Sequence, residues 1–136
     1  MAEIPQITSE QAWQMLVDDE KVVLVDVRTE TEWRTIGVPD IGQLGRAAHF
    51  VSWTDEQGAA NPHFSDLVTE GLDPDTPILL LCRSGVRSNA AADLLLASGY
   101  TGAHNIAGGF EGPRQADGAH AGGWKDLLPS TTHGTA

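Results

Sequence analysis

The sequence contains one cysteine, and it stands in the run LLLCRSGVRSNAAADLLL, where an aliphatic stretch stops at Cys82 and a helix-forming stretch starts at Ser88. Between them lie Arg83, Ser84, Gly85, Val86 and Arg87. Gly85 can take a positive φ without steric cost. A link of this length can curl so that successive backbone N–H groups point inward, and the free amides and dipole of the following helix add to the same field. An anion belongs at that centre. A thiol held there is expected to ionise readily, because thiol pKa falls from about 8.5 to roughly 3.5–7.5 at helix N-termini and beside cations. Cys82 would then serve as a nucleophile without a histidine base. A lone cysteine at the end of an apolar strand is most often a small buried hydrophobe, but that role has no use for the two Arg, two Ser and one Gly in the next six residues.

This loop is an exception in an acidic chain. The 136 residues hold 8 Lys plus Arg against 19 Asp plus Glu, a formal net charge of −11, so two of eight cations sit within five residues of the thiol. The length fits one domain that can bury roughly two-thirds of its unfolded surface without a staple. One Cys makes no internal disulfide, and the five scattered His show no ligand spacing, which excludes disulfide-rich modules and structural zinc domains and leaves no metal expected. The negative balance argues against nucleic acid or an anionic membrane as the main partner. The start, MAEIPQITSE, has no basic region followed by an apolar core, and apolar runs fall far short of the ~18 residues of a membrane span. A cytoplasmic location is the expectation.

The elements that must position the loop follow from periodicity. Residues 9–18 place Ala12, Trp13, Leu16 and Val17 at helical spacing, with Thr8 or Ser9 as cap. Val22 to Val25 form a continuous β-prone run suited to a strand buried on both faces, with Asp26 and Arg28 at its end. Thr29 and Glu32 have the spacing of a capping box for a helix to about Ile36. Residues 37–48 read as a Gly/Pro-punctuated loop leading into a short strand, and 53–62 as a surface loop. A helix is expected over 63–72 with Phe64, Leu67 and Val68 inward. PILLLC is a second apolar strand, and the helix after it turns Ala90, Ala91, Leu94 and Leu95 inward and stops at Gly99. A strand within 101–106, the glycine-rich turn GGFEGPR and a last turn carrying Trp124, Leu127 and Leu128 complete a single domain over 4–128. Residues 129–136, with His133, read as a disordered tail, and no internal repeat is evident. Apolar strands alternating with amphipathic helices specify an α/β fold: a mostly parallel sheet with helices on both faces, binding ligands beyond the strands' C-terminal ends.

Cys82-Arg83-Ser84-Gly85-Val86-Arg87-Ser88 after an aliphatic strand, with Asp26-Val27-Arg28 and Glu32-Trp33 upstream and Asn105-Ile106-Ala107-Gly108-Gly109-Phe110 downstream, resembles the single-domain rhodanese family over about residues 4–128. The resemblance implies a rhodanese-like three-layer fold with about five strands. It also implies a catalytic Cys82 that takes sulfane sulfur from a donor such as thiosulfate, holds it as a persulfide, and passes it to a thiophilic acceptor. No cofactor is implied beyond that covalent persulfide. Partners are then a small anionic sulfur donor and its acceptor or, if the domain is a carrier, a sulfur-relay protein.

An attacking thiolate displaces an anionic leaving group from an anionic donor, so positive partners are needed. Arg83, Ser84, Gly85, Val86, Arg87 and Ser88 are the expected substrate-binding loop. Arg87 is expected to face substrate, while Arg83 either does so or turns outward. In the resemblance, Asp26 and Arg28 form a supporting ion pair beneath the loop; Glu32 caps its helix or pairs with Arg28. Trp53 either lines the pocket mouth or docks in the core. Phosphatases and arsenate reductases of related fold place five residues between Cys and Arg. Here four separate Cys82 from Arg87, a tighter ring better suited to one sulfur atom than to a tetrahedral oxyanion. Residues 37–48 depart from the family's usual Gly-His-Ile-Pro-Gly-Ala loop, which leaves that wall of the pocket open.

Overall fold

The computed structural model describes residues 3–131. In chain order the elements are β1 (Gln6–Ile7), α1 (Ser9–Asp18), β2 (Val23–Asp26), α2 (Glu30–Ile36), β3 (Val38–Pro39), β4 (His49–Phe50), α3 (Phe64–Thr69), β5 (Ile78–Leu81), α4 (Val86–Ala97), β6 (Ala103–Ile106), α5 (Trp124–Leu127) and β7 (Ser130–Thr131). Five strands form one sheet in the order β1-β6-β5-β2-β4, and every pairing in it is parallel.

The central strand β5 explains why the sheet has helices on both sides. All four of its residues are fully buried, and because side chains alternate across a strand, Ile78 and Leu80 join one core while Leu79 and Leu81 join the other. Phe64 and Val68 of α3 and Ala91, Ala92 and Leu95 of α4 close the first core. Ala12 and Leu16 of α1 and Trp124 of α5 close the second. Removing each Leu, Ile, Val or Phe side chain of these cores from water is worth about 1.5–3 kcal/mol. No described helix is long and apolar enough to cross a membrane.

Several faces differ from the periodic reading. Val17 is 49% and Leu67 53% exposed, because helices this short bury only a narrow stripe. In α4 the buried set is Ser88, Ala91, Ala92 and Leu95, so Ala90 and Leu94 turn outward. That helix begins at Val86 rather than Ser88, and its inward face is set by Ser88, which must meet Cys82. Pro129 to Thr131, expected in the tail, are part of the body. Ser130–Thr131 pair antiparallel with Val38–Pro39, and the Pro129 carbonyl accepts from Trp124 Nε1 at 2.8 Å and from the Asp40 amide at 3.0 Å. The rest of that tail, 132–136, lies outside the described residues.

The divergent loop is anchored from both ends. Gly37 O accepts from Arg28 Nη2 at 2.8 Å. Arg46 donates to Leu16 O at 2.9 Å, Asp19 O at 3.2 Å and Val22 O at 2.9 Å, tying the loop to the end of α1 and the start of β2. Two hairpins leave the C-terminal ends of β4 and β6 and share a form the sequence reading passes over. Each closes on an isolated antiparallel bridge, Thr54 with Ala60 and Arg114 with His120, and each leads into a short helix opened by a buried aromatic, Phe64 or Trp124.

Candidate active site

Cys82 follows β5 at the C-terminal edge of the sheet and is 1% exposed. Its Sγ accepts from the Gly85 amide at 3.1 Å and lies 3.1 Å from Ser88 Oγ. The loop closes because Gly85 has φ 102°, in the left-handed region, directly before α4. A Cβ at Gly85 would lie 2.3 Å from Ala107 O, so glycine is required by space as well as by backbone angle. The expected ring is therefore shorter than the sequence suggested: Arg83 to Gly85 form the turn, and Val86, Arg87 and Ser88 are the first turn of α4. Gly85 supplies the one backbone amide bonded to the sulfur among the described residues.

A second glycine brings the loop after β6 onto the first. Gly109 has φ 66°, and a Cβ there would lie 2.5 Å from the Arg83 carbonyl. The Phe110 amide donates to Cys82 O at 2.7 Å and the Glu111 amide to Arg83 O at 3.0 Å. Gly108-Gly109-Phe110, weak as a motif, is thus the wall against which the cysteine loop rests.

Ser88 is fully buried, and its hydroxyl also lies 2.5 Å from Asn105 Oδ1. Asn105 spends both amide hydrogens, on Gln6 Oε1 at 2.8 Å and Gly85 O at 3.1 Å, which fixes its oxygen toward Ser88. Asn105 is not among the site residues expected from the sequence. Its signal was a buried polar residue in the short strand Ala-His-Asn-Ile, where only hydrogen bonding repays burial.

Asp26 and Arg28 form a fully buried pair, 2.7 Å from Nη2 to Oδ2 and 3.0 Å from Nε to Oδ1. The Arg28 guanidinium carbon lies 4.2 Å from the centre of the Phe110 ring. Phe110 connects this pair to the cysteine loop. Glu32 makes the expected capping box, accepting from the Thr29 amide at 3.2 Å while Thr29 Oγ1 accepts from the Glu32 amide at 3.3 Å. Its ion-pair partner is Arg87, not Arg28. Arg87 Nη1 and Nη2 donate to Glu32 Oε1 and Oε2 at 2.7 and 2.9 Å. Arg28 is instead paired with Asp26, two residues away.

Burial pushes the Glu32 carboxyl up, but the Arg87 bonds and charge and the Thr29 bonds outweigh it and hold the group below its ordinary value. Arg87 is raised, chiefly by its bond to Glu32, against burial, with smaller contributions from the charges of Cys82 and Asp26. Arg83 is half exposed and pairs with Glu111 at 3.2 Å.

A cleft of about 360 Å³ opens here, lined by Glu32, Thr35, Ile36, Arg83, Arg87 and Glu111. A depression of similar size lies over the first hairpin, Thr29 and Glu30, and contains none of the expected site residues. Trp53 lines neither; its ring packs edge-on against Phe64 at 5.0 Å. Ser84 stays partly exposed, and Val86 is 76% exposed at the start of α4.

The rhodanese-like domain family model matches residues 8–116. An uncharacterised protein of Rickettsia prowazekii is 35% identical over 90% of this chain and 92% of its own. The thiosulfate sulfurtransferase GlpE of Actinobacillus succinogenes is 30% identical, covering 82% of this chain and 85% of its own. The crystal structure of Rv0390 from M. tuberculosis superposes with a TM-score of 0.88 at 41% identity, over 96% of this chain and 99% of that one.

Proposed function

The chain belongs to the rhodanese-like family, and from that premise we propose that it is a sulfurtransferase that moves sulfane sulfur through a persulfide on Cys82. One observation carries this reading: Cys82 Sγ sits at the floor of a strand-to-helix turn with the Gly85 amide and the Ser88 hydroxyl each 3.1 Å away. The Gly85 amide is the donor that a thiolate, or the inner sulfur of a persulfide, takes, while Ser88, whose single hydrogen goes to Asn105 Oδ1, fixes the sulfur's place from the first turn of α4.

In the first step the Cys82 thiolate attacks the outer sulfur of thiosulfate or a related donor. The donor's S–S bond breaks with its electron pair leaving on sulfite, and a Cys82 persulfide remains. A nucleophile such as cyanide then takes the outer sulfur, and the electron pair of the enzyme's S–S bond returns to Cys82. Arg87 and Arg83 are the cations of the cleft that an anionic donor meets, and Asp26, Arg28 and Phe110 support the loop from beneath. With no second thiol in the chain, the persulfide leaves on an external acceptor, and a cytoplasmic setting suits such an exchange.

The test is thiocyanate production from thiosulfate and cyanide, together with mass spectrometry of the protein after donor exposure. Wild-type protein is expected to gain one sulfur on Cys82 and to turn over; Cys82→Ser should lose at least about a thousandfold in rate, as removal of a covalent nucleophile does. Protein that neither loads nor turns over would sink the proposal. A second reading, sulfur delivery between proteins, draws on the exposed Val86 beside the loop. Loading of Cys82 from a protein persulfide with negligible thiosulfate turnover would favour it, and aryl phosphate hydrolysis dependent on Cys82 would replace both readings with a phosphatase.

A further inference from the structure

The cleft lined by the two arginines of the Cys82 loop has no net charge. Its charged lining is two cations and two anions, Arg83 and Arg87 with Glu32 and Glu111, and each cation is already paired. The Arg87–Glu32 pair is the tighter, with two short parallel bonds of the fork-to-fork kind that are stronger than single contacts. Its side chains keep 27% and 20% exposure, so solvent, and therefore substrate, can reach them. A chain of net charge −11 adds long-range repulsion of anions.

A donor anion can use Arg87 only by displacing the Glu32 carboxylate or lying against it. Displacement costs the Arg87–Glu32 bonds whatever the donor, but the carboxylate stays nearby, and its repulsion grows with donor charge, so a dianion bears it hardest. Resting on the sulfurtransferase reading above, we infer that Glu32 is a specificity-determining residue that disfavours dianionic sulfur donors relative to singly charged ones. Glu111 acts in the same direction through Arg83, more weakly because Arg83 is half exposed and screened.

The donors that isolate this effect are thiosulfate, a dianion, and methanethiosulfonate, a monoanion. Both present a terminal sulfur to Cys82, and they release sulfite and methanesulfinate respectively, so each transfer balances as a thiolate exchanging for an oxyanion. The quantity to read is the ratio of kcat/KM for thiosulfate to that for methanethiosulfonate. Glu32→Gln keeps the helix cap, since Gln at this position also completes a capping box, but removes the charge that holds Arg87 and repels the donor. The ratio is expected to rise about tenfold, the scale of one charge-assisted hydrogen bond gained. A merely structural role for Glu32 would lower both rates and leave the ratio unmoved.

Glu111→Gln, which leaves the cap of α2 intact, is expected to raise the ratio about two- to threefold, and it carries the test should Glu32→Gln fold poorly. No rise in the ratio in whichever of these variants folds overturns the inference while leaving sulfur transfer standing. Wild-type protein that loads from neither donor instead removes the reading on which the inference rests.

Discussion

Arg28–Asp26 and Arg87–Glu32 use the same chemistry, a guanidinium fork on both oxygens of a carboxylate, within one cysteine-loop assembly. Burial separates them. The first pair is 0% exposed at both side chains; the second is 27% and 20% exposed. Arg28 is also enclosed by the Phe110 ring and the Gly37 carbonyl, so it has no freedom to exchange partners. Arg87 stands in a cleft where an anion can compete with Glu32. The difference teaches that the two pairs are separated by dryness and not by the type of bond they make, which is the basis for reading Arg28 as scaffold and Arg87 with Glu32 as the proposed selectivity element.

The comparison would break if losing either pair cost the same stability. Arg28→Met leaves Asp26 as an uncompensated charge in a dry site, which costs about 3–5 kcal/mol. Its urea midpoint should therefore fall far below wild type, or the protein should fail to fold. An unfolding free energy within about 1 kcal/mol of wild type would remove the distinction. The wet pair gives a smaller effect with a predictable pH dependence. The folded-state pKa of Glu32 is depressed below its ordinary 4.5, so its contribution is fully present above pH 4.5 and is lost as pH falls through the lower folded value. The stability gap between wild type and Glu32→Gln should be at most about 1 kcal/mol at pH 7 and should close under acid. A gap that persisted or widened once the pH had fallen through the folded value would show that Glu32 contributes through its shape and not its charge.

The two pairs also differ in how far they can be read from the chain. Asp26 and Arg28 are two residues apart at the end of an apolar strand, and their partnership is what the resemblance to the family's Asp-x-Arg implies. Glu32 and Arg87 are 55 residues apart; local spacing showed Glu32 as a helix cap, which it is, and gave no way to choose its ion partner. The same division runs through the fold. Continuous apolar runs in β2 and β5 specified a sheet covered on both sides, and Gly85 marked the turn. The inward face of α4 and the seating of Gly109 on Arg83 depend on how two loops meet, which no window of sequence contains. Asn105 lies between these cases, since a polar residue in a buried strand shows that partners are needed without saying which.

A third pair supplies the exposed end of the scale and the smallest expected effect. Arg34 Nη1 lies 3.3 Å from Glu30 Oε1, one helical turn away, with 56% and 66% exposure. Long side chains in water lose rotamer freedom to hold such a contact, and mobile ions screen it. Arg34→Ala should shift stability by less than about 0.5 kcal/mol, and that shift should disappear in 1 M salt. It should leave the ratio of the two sulfur donors unmoved, because neither residue lines the cleft. Ordered this way, the three pairs differ mainly in access to water. A loss above about 1 kcal/mol at Arg34 would mean that exposure does not rank them, and the assignment of Arg28 to scaffold and Arg87 to selectivity would then need a different physical basis.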